Sequence, residues 1–479
     1  MLISLIKNKV FWLILLSIKI IFLVFFGVQE MPDSEGYVKL AEEIDNNLNS
    51  IFDFQTKSRM IGYSLIIFLI KLISAKYWII LIGSFQICFS FLTLLFIFET
   101  LKKLNVSEVL SKLLIIIFSF STINKLDLLI LTDSIYGNLL VLIFCNFFRI
   151  HMTNNNMKII KISLIISLLL VLCFLIKDTT FIFLPIFSVF FSIIILKFFL
   201  KKITLKFFLL SFIIIFFPIL SISETIKFYN FKKENYKYVT LGGSTIYLYA
   251  TARPFLERNL KNFDNNNEFD NTYKKFVVNN DFSNIYNMIS ELKNQGYSDV
   301  EILKYSKQKY LEVIQNPKNL MNIVVGNLKP TFVWGVFQPF LGFSQLYSLK
   351  ISDNSYWRTR LIFKKILNEK TLSFDLILFV LCLFEILITS SMFFLFLFTL
   401  ITNLRKVSTN RKYEENYSFI VLISIIFYLL FCFVHLIVHI EPRYMVGVNF
   451  LFILAILLNF ENQILKIYDA LKKYLKTTI

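Results

Sequence analysis

Several side chains with useful chemistry stand beside long apolar runs. Asp33 lies in Met31-Pro32-Asp33-Ser34-Glu35-Gly36-Tyr37, directly after the first run. An Asp at the start of a helical pattern can cap the free N–H groups of the first turn. Held ionised at a membrane face, it can also act as a general base toward a hydroxyl nucleophile. Glu35 offers a second carboxylate for the same work. Asp133, in Leu131-Thr132-Asp133-Ser134, has two readings. If its span begins near Leu126, Asp133 lies roughly 10 Å along the helix. A carboxylate there is costly unless it faces a wet cavity or a partner. If the span begins at Ser134, Asp133 is its cap. Three cations, Arg59, Lys177 and Arg443, sit at the ends of other apolar runs. A guanidinium fork suits a phosphate, and the plainer alternatives are a self-satisfied Lys177-Asp178 turn and snorkelling anchors. His435 and His439 are one helical turn apart, but no second such pair accompanies them, so no metal site is read there.

The elements that must position these groups follow from composition. Of 479 residues, 56% are hydrophobic and only 17% charged, with 56 Phe and a mean hydropathy of +0.67. Too little polar surface is left to cover such a chain in water, which excludes a soluble enzyme, a disordered chain and a secreted disulfide scaffold. The net charge of +18 would suggest nucleic acid in a soluble protein. In a chain with many spans it reads as cytoplasmic anchoring, with membrane lipid and no nucleic acid as partner.

The sequence predicts an all-α polytopic membrane protein of about ten transmembrane helices, at 10–28, 79–98, 109–123, 126–148, 162–176, 179–196, 207–222, 374–402, 417–437 and 445–460. The stretch 61–73 is too short to cross easily and reads as interfacial or re-entrant. With the N-terminus inside, the six inward segments together hold 20 Lys and Arg, while the short outward connections hold only Lys125, Lys177 and Arg443. That asymmetry implies N-in and C-in. Residues 1–223 form a transmembrane region with its first outer loop at 29–78. Residues 224–371 form a large outer loop, and 372–479 supply the last spans. In the first loop, Tyr37, Leu40, Ala41, Ile44 and Leu48 recur at helical spacing, which predicts a helix along the membrane surface. The large loop, with an amphipathic run from Tyr297 to Ile314 and an aromatic patch around Trp334, Phe337 and Phe340, is expected to fold as a cap.

In their order, these pieces resemble the polytopic C-type glycosyltransferases that use lipid-phosphate sugar donors, with protein O-mannosyltransferases and lipid A aminoarabinose transferases as familiar relatives. The matching stretches are Pro32-Asp33-Ser34-x-x-Tyr37-x-x-Leu40-Ala41, Arg59-x-x-Gly62-Tyr63, Leu131-Thr132-Asp133-Ser134, Leu175-Ile176-Lys177-Asp178 and Glu441-Pro442-Arg443-Tyr444. The chain departs from the family pattern where prolines are usual, around Gly62 and after Tyr444. The resemblance implies that Asp33 is the catalytic base, Asp133 a second acid with Glu35 in support, and Arg59, Lys177 and Arg443 contacts to the lipid phosphate. It further implies substrate contacts from Tyr37, Tyr63, Glu441 and Tyr444. The expected activity is inverting transfer of a sugar from a polyprenyl-phosphate donor to a hydroxyl acceptor on the extracytoplasmic face of the plasma (inner) membrane. No cofactor is required, and a divalent cation is optional. A lipid-linked polysaccharide polymerase or ligase would carry essential Arg and His in the large loop, which has no His. A lipid-oligosaccharide flippase would show two similar halves, whereas the hydropathy here is lopsided.

Overall fold

The computed structural model describes residues 8–31, 33–52, 59–153, 155–199, 205–257, 267–278, 285–329, 374–408, 416–438 and 442–478. The protein is an all-α polytopic membrane protein. Helix α1 (Lys9–Phe26) ends at Gly27, whose φ of +70° turns the chain into an extended stretch. The first loop then folds as α2 (Ser34–Asn46), a 3₁₀ turn (Leu48–Phe52) and α3 (Gly62–Ile73). After α4 (Trp78–Lys103) come the short α5 (Glu108–Ser119) and α6 (Thr122–Leu126). Helices α7 (Asp133–His151), α8 (Asn156–Ile176), α9 (Thr180–Phe199) and α10 (Leu205–Glu234) complete the first part of the bundle.

The large loop is helical where described: α11 (Gly243–Glu257), α12 (Glu268–Val278), α13 (Ile285–Asn294), α14 (Asp299–Gln315) and α15 (Pro317–Lys329). These helices share a small core of their own, built on Leu248, Tyr273, Met288, Leu292, Ile302 and Ile323. Helix α14 coincides with the expected amphipathic run, and its start is fixed by a Ser298/Glu301 capping box. The patch around Trp334, Phe337 and Phe340 lies outside the described residues. The chain ends with α16 (Phe374–Ser408), α17 (Asn416–Ile437), a 3₁₀ turn (Pro442–Met445), α18 (Asn449–Asn459) and α19 (Glu461–Thr478).

Among the described residues, seven helices (α1, α4, α7, α8, α10, α16 and α17) are long and apolar enough to cross a membrane. An eighth span is possible if α18 and α19, bent by 70°, are taken together. The expected spans at 109–123 and 445–460 meet α5 and α18, which have 12 and 11 residues. They rise only about 18 Å and 17 Å, against about 30 Å of hydrocarbon. The seventh span does not stop at residue 222, since α10 runs on to Glu234 and carries the chain into the cap. The expected helix is present as α2, where Tyr37, Leu40, Ala41 and Ile44 are buried in the protein, while Leu48 is exposed because the helix ends at Asn46.

Helix α7 lies at the centre, buried along most of its length, and α1 and α16 are largely exposed. This explains its composition. Ser134, Asn138 and Asn146 are buried against other helices rather than lipid, and both Asn side chains donate to carbonyls four residues back. The bundle also seals in an ion pair: Lys19 Nζ lies 2.8 Å from Asp127 Oδ2, and both side chains are 1% exposed. Ser134 Oγ donates to the other Asp127 oxygen at 2.5 Å.

Candidate functional site

The site is assembled by an extended crossing in front of α7. Gln29 N–H donates to Leu128 O at 2.9 Å, and Ile130 N–H donates to Gln29 O at 3.1 Å. Gln29 and Leu129 thereby form an isolated parallel bridge. Ser34 extends the stitch, with its Oγ accepting from Met31 N–H at 2.8 Å and donating to Ile130 O at 2.6 Å. These bonds hold the segment before Asp33 alongside the segment before Asp133. Asp133 proves to be the first residue of α7, not a position seven residues into a span, because residues 127–132 are not helical.

Two glycines bring the cations in. A Cβ on Gly62 would lie 2.6 Å from Leu175 O, so only glycine lets the start of α3 rest on the end of α8, next to Lys177. A Cβ on Gly447 would lie 2.6 Å from Gly137 O, so the turn after Arg443 packs directly on α7.

The result is a cavity of about 180 Å³ whose lining includes Asp33, Arg59, Asp133, Lys177 and Arg443, drawn from five separate stretches of sequence. Asp33 occupies the N-cap position of α2, yet its side chain caps nothing. One carboxylate oxygen accepts from Arg59 Nη2 at 2.9 Å and the other from Arg443 Nη2 at 2.6 Å. Lys177 Nζ donates to Asp133 Oδ1 at 2.9 Å, and Arg443 Nε approaches the other Asp133 oxygen at 3.8 Å. Arg443 therefore spans both carboxylates. Burial pushes the Asp33 carboxyl up, but the charges of Arg443 and Arg59 and their hydrogen bonds outweigh it, leaving the group below its ordinary range.

Tyr37 and Tyr444 also line the cavity. Arg59 donates to Tyr37 Oη at 2.9 Å, and Lys177 Nζ sits 4.0 Å from the centre of the Tyr444 ring. Tyr63 does not reach the cavity. It is fully buried, meets the Tyr37 ring edge-on at 5.2 Å and donates to Gln86 Oε1 at 3.0 Å, so it supports Tyr37 from behind. Glu35 does not join the cluster either, since it is exposed and pairs with Lys39, one turn along α2. Glu441 and His439 lie outside the described residues. Among the described residues, no three His, Cys, Asp or Glu side chains gather as a metal site would require.

A second, apolar cavity adjoins the first, sharing Lys177, Thr179, Ile246 and Tyr444 and adding Tyr136, Phe183 and Val434. At about 180 Å³ the main cavity is smaller than the roughly 300–1,000 Å³ of pockets that enclose a whole ligand.

Sequence reasoning missed two parts of this arrangement. One is the buried support: Gln86 Nε2 donates to the carbonyls of Asp127 and Leu129 at 3.0 Å each, fixing the extended crossing. Lys19, a charge in the middle of the first apolar run, was the available signal for it. The other is the cap's contribution, Gly242, Thr245, Ile246 and Tyr249. Its signal was the Gly242-Gly243 break before a helical pattern. Comparison of the chain with protein-family models, curated proteins and solved structures finds no match.

Proposed function

We propose that the protein is an inverting glycosyltransferase that moves a sugar from a polyprenyl-phosphate donor to a hydroxyl acceptor. The observation that carries this reading is Asp33: a carboxylate at a helix start, not used as a cap, that shares a cavity with three cations. The acceptor oxygen attacks the anomeric carbon while Asp33 takes its proton. The bond from that carbon to the phosphate oxygen breaks, and the phosphate leaves on the polyprenyl chain. Arg59, Lys177 and Arg443 stabilise the charge that develops on it. A single displacement of this kind needs no enzyme nucleophile and inverts the anomeric centre.

The resting ion pairs fit this role. A donor phosphate competes with Asp33 for Arg59 and Arg443, and as they turn toward it the carboxylate becomes a stronger base. The adjoining apolar cavity supplies a seat for the first part of the lipid chain. The three cations provide positive charge of the sort a divalent metal would also bring, so a metal is optional for this chemistry.

Topology agrees with the reading. The cavity lies at the Asp133 end of α7, and Arg149 lies in the last turn at the other end, about 24 Å away along the helix. With basic segments inside, the Arg149 end of α7 is cytoplasmic, the chain is N-in and C-in, and the site faces outward from the plasma (inner) membrane. The test is Asp33→Asn in purified protein given a lipid-phosphate sugar and an acceptor. Transfer should fall by about 10²–10⁴-fold with donor binding retained, because an amide cannot take the proton. Near-normal transfer by this variant would remove Asp33 from the base role.

A further inference from the structure

The cavity has two unlike walls. Among its described lining residues, every Asp, Lys and Arg belongs to the bundle, and the cap supplies only Gly242, Thr245, Ile246 and Tyr249. Thr245, Ile246 and Tyr249 share one face at the start of α11, and Gly242 lies just before that helix.

That face is fixed in register with the charged wall at two points. Thr240 Oγ1 donates to Asp178 Oδ2, next to Lys177. Tyr310 Oη donates to Ile437 O at 3.2 Å, and Asn327 Nδ2 donates to Leu436 O at 2.9 Å, at the end of the helix that leads to Arg443. The cap thus grips two of the three segments that deliver cations to the cavity.

We infer that the α11 face is the sugar-recognising wall and that the sugar it takes is uncharged; this rests on the transferase reading above. A phenol ring gives a flat apolar surface for the C–H face of a sugar, with a hydroxyl at its edge, and Thr245 adds a second hydroxyl for the ring's own hydroxyls. Of the lining carboxylates, Asp33 is ion-paired at rest with Arg59 and Arg443 and Asp133 with Lys177, while Asp178 accepts from the Thr240 hydroxyl. Through its described lining residues, the α11 face itself offers no carboxylate to the ammonium of an amino sugar and no cation to a carboxylate. An acidic sugar would compete with the donor phosphate for the same cations. A neutral, hydroxylated ring demands neither, and it meets hydroxyl partners on the cap side.

The test uses the full-length protein in lipid nanodiscs and measures binding of undecaprenyl phosphate, alone or carrying a neutral hexose or pentose, an amino sugar or a uronic acid. At least one neutral sugar should raise affinity over the bare lipid phosphate by about tenfold or more, and the charged sugars should not. Tyr249→Ala and Thr245→Val should each remove most of that gain while leaving affinity for the bare lipid phosphate within about twofold, which also reports that the variants fold. A gain that survives both substitutions, or an amino or uronic sugar bound as tightly as the best neutral one, overturns the inference. Failure of the wild-type protein to bind bare undecaprenyl phosphate overturns the transferase reading itself, and this inference with it.

Discussion

The bundle holds two ionic clusters near the start of α7, one built on Asp127 and one that includes Asp133, and they are built differently. Lys19 and Asp127 form a matched pair, 1% exposed on both sides, with Ser90, Asn124 and Ser134 adding hydrogen bonds. Asp33, Asp133 and their three cations open onto a cavity, with Asp33 and Arg59 about a quarter exposed. A sealed pair satisfied from every direction is a fastening. A cluster that keeps an open side has room for another charged group. The contrast assigns the first to holding the extended crossing before α7 and the second to binding.

If that division is right, each cluster should break in its own way. The largest effect belongs to the sealed pair. Lys19→Met or Asp127→Asn alone leaves a charge buried without its partner, and the cost should be about 3–5 kcal/mol of stability. Thermal unfolding in detergent should show it, with much of the loss recovered when both substitutions are combined. Equal stability in all variants would mean that the pair fastens nothing.

In the open cluster, Arg443→Ala should leave folding largely intact and weaken donor binding by about 10–100-fold, the scale of one or two lost charged hydrogen bonds. The same variant sharpens the comparison through pH. Asp33 is held below its ordinary pKa, so as a base it stays ionised down to the acid edge of the carboxylate range. Removing Arg443 takes away the largest lowering influence and leaves the raising effect of burial. The acid limb of the transfer rate should therefore move to higher pH, and an unmoved limb would separate Arg443 from Asp33. The smallest effect belongs to Glu35→Gln. Glu35 sits on the exposed face of α2 and, among the described residues, pairs with Lys39, so transfer and stability should be indistinguishable from wild type. A loss of transfer there would restore Glu35 to the site.

The open cluster was more legible in the sequence than the sealed one. Asp33, Arg59, Lys177 and Arg443 each stand where an apolar run meets a polar turn, and such edges are visible from hydropathy alone. The depth of Asp133 was not visible, because Leu128-Leu129-Ile130-Leu131 is as apolar as a span although the chain there is extended. Lys19 was hidden by the strength of the apolar pattern around it, and its partner lies 108 residues away. The cap's contribution was least legible. Local pattern predicted α14, but which helix of the cap would face the cavity depends on the contacts of Thr240, Tyr310 and Asn327 with the bundle, and these link residues far apart in sequence.

The central claim is that the open cluster is a phosphate site whose cations otherwise hold Asp33. It is tested most directly by an experimental structure of the full-length protein with undecaprenyl phosphate bound. The account predicts phosphate oxygens within about 3 Å of at least two of Arg59, Lys177 and Arg443, and Asp33 released from at least one of its arginines. A phosphate seated elsewhere, with both arginines still on Asp33, would contradict it.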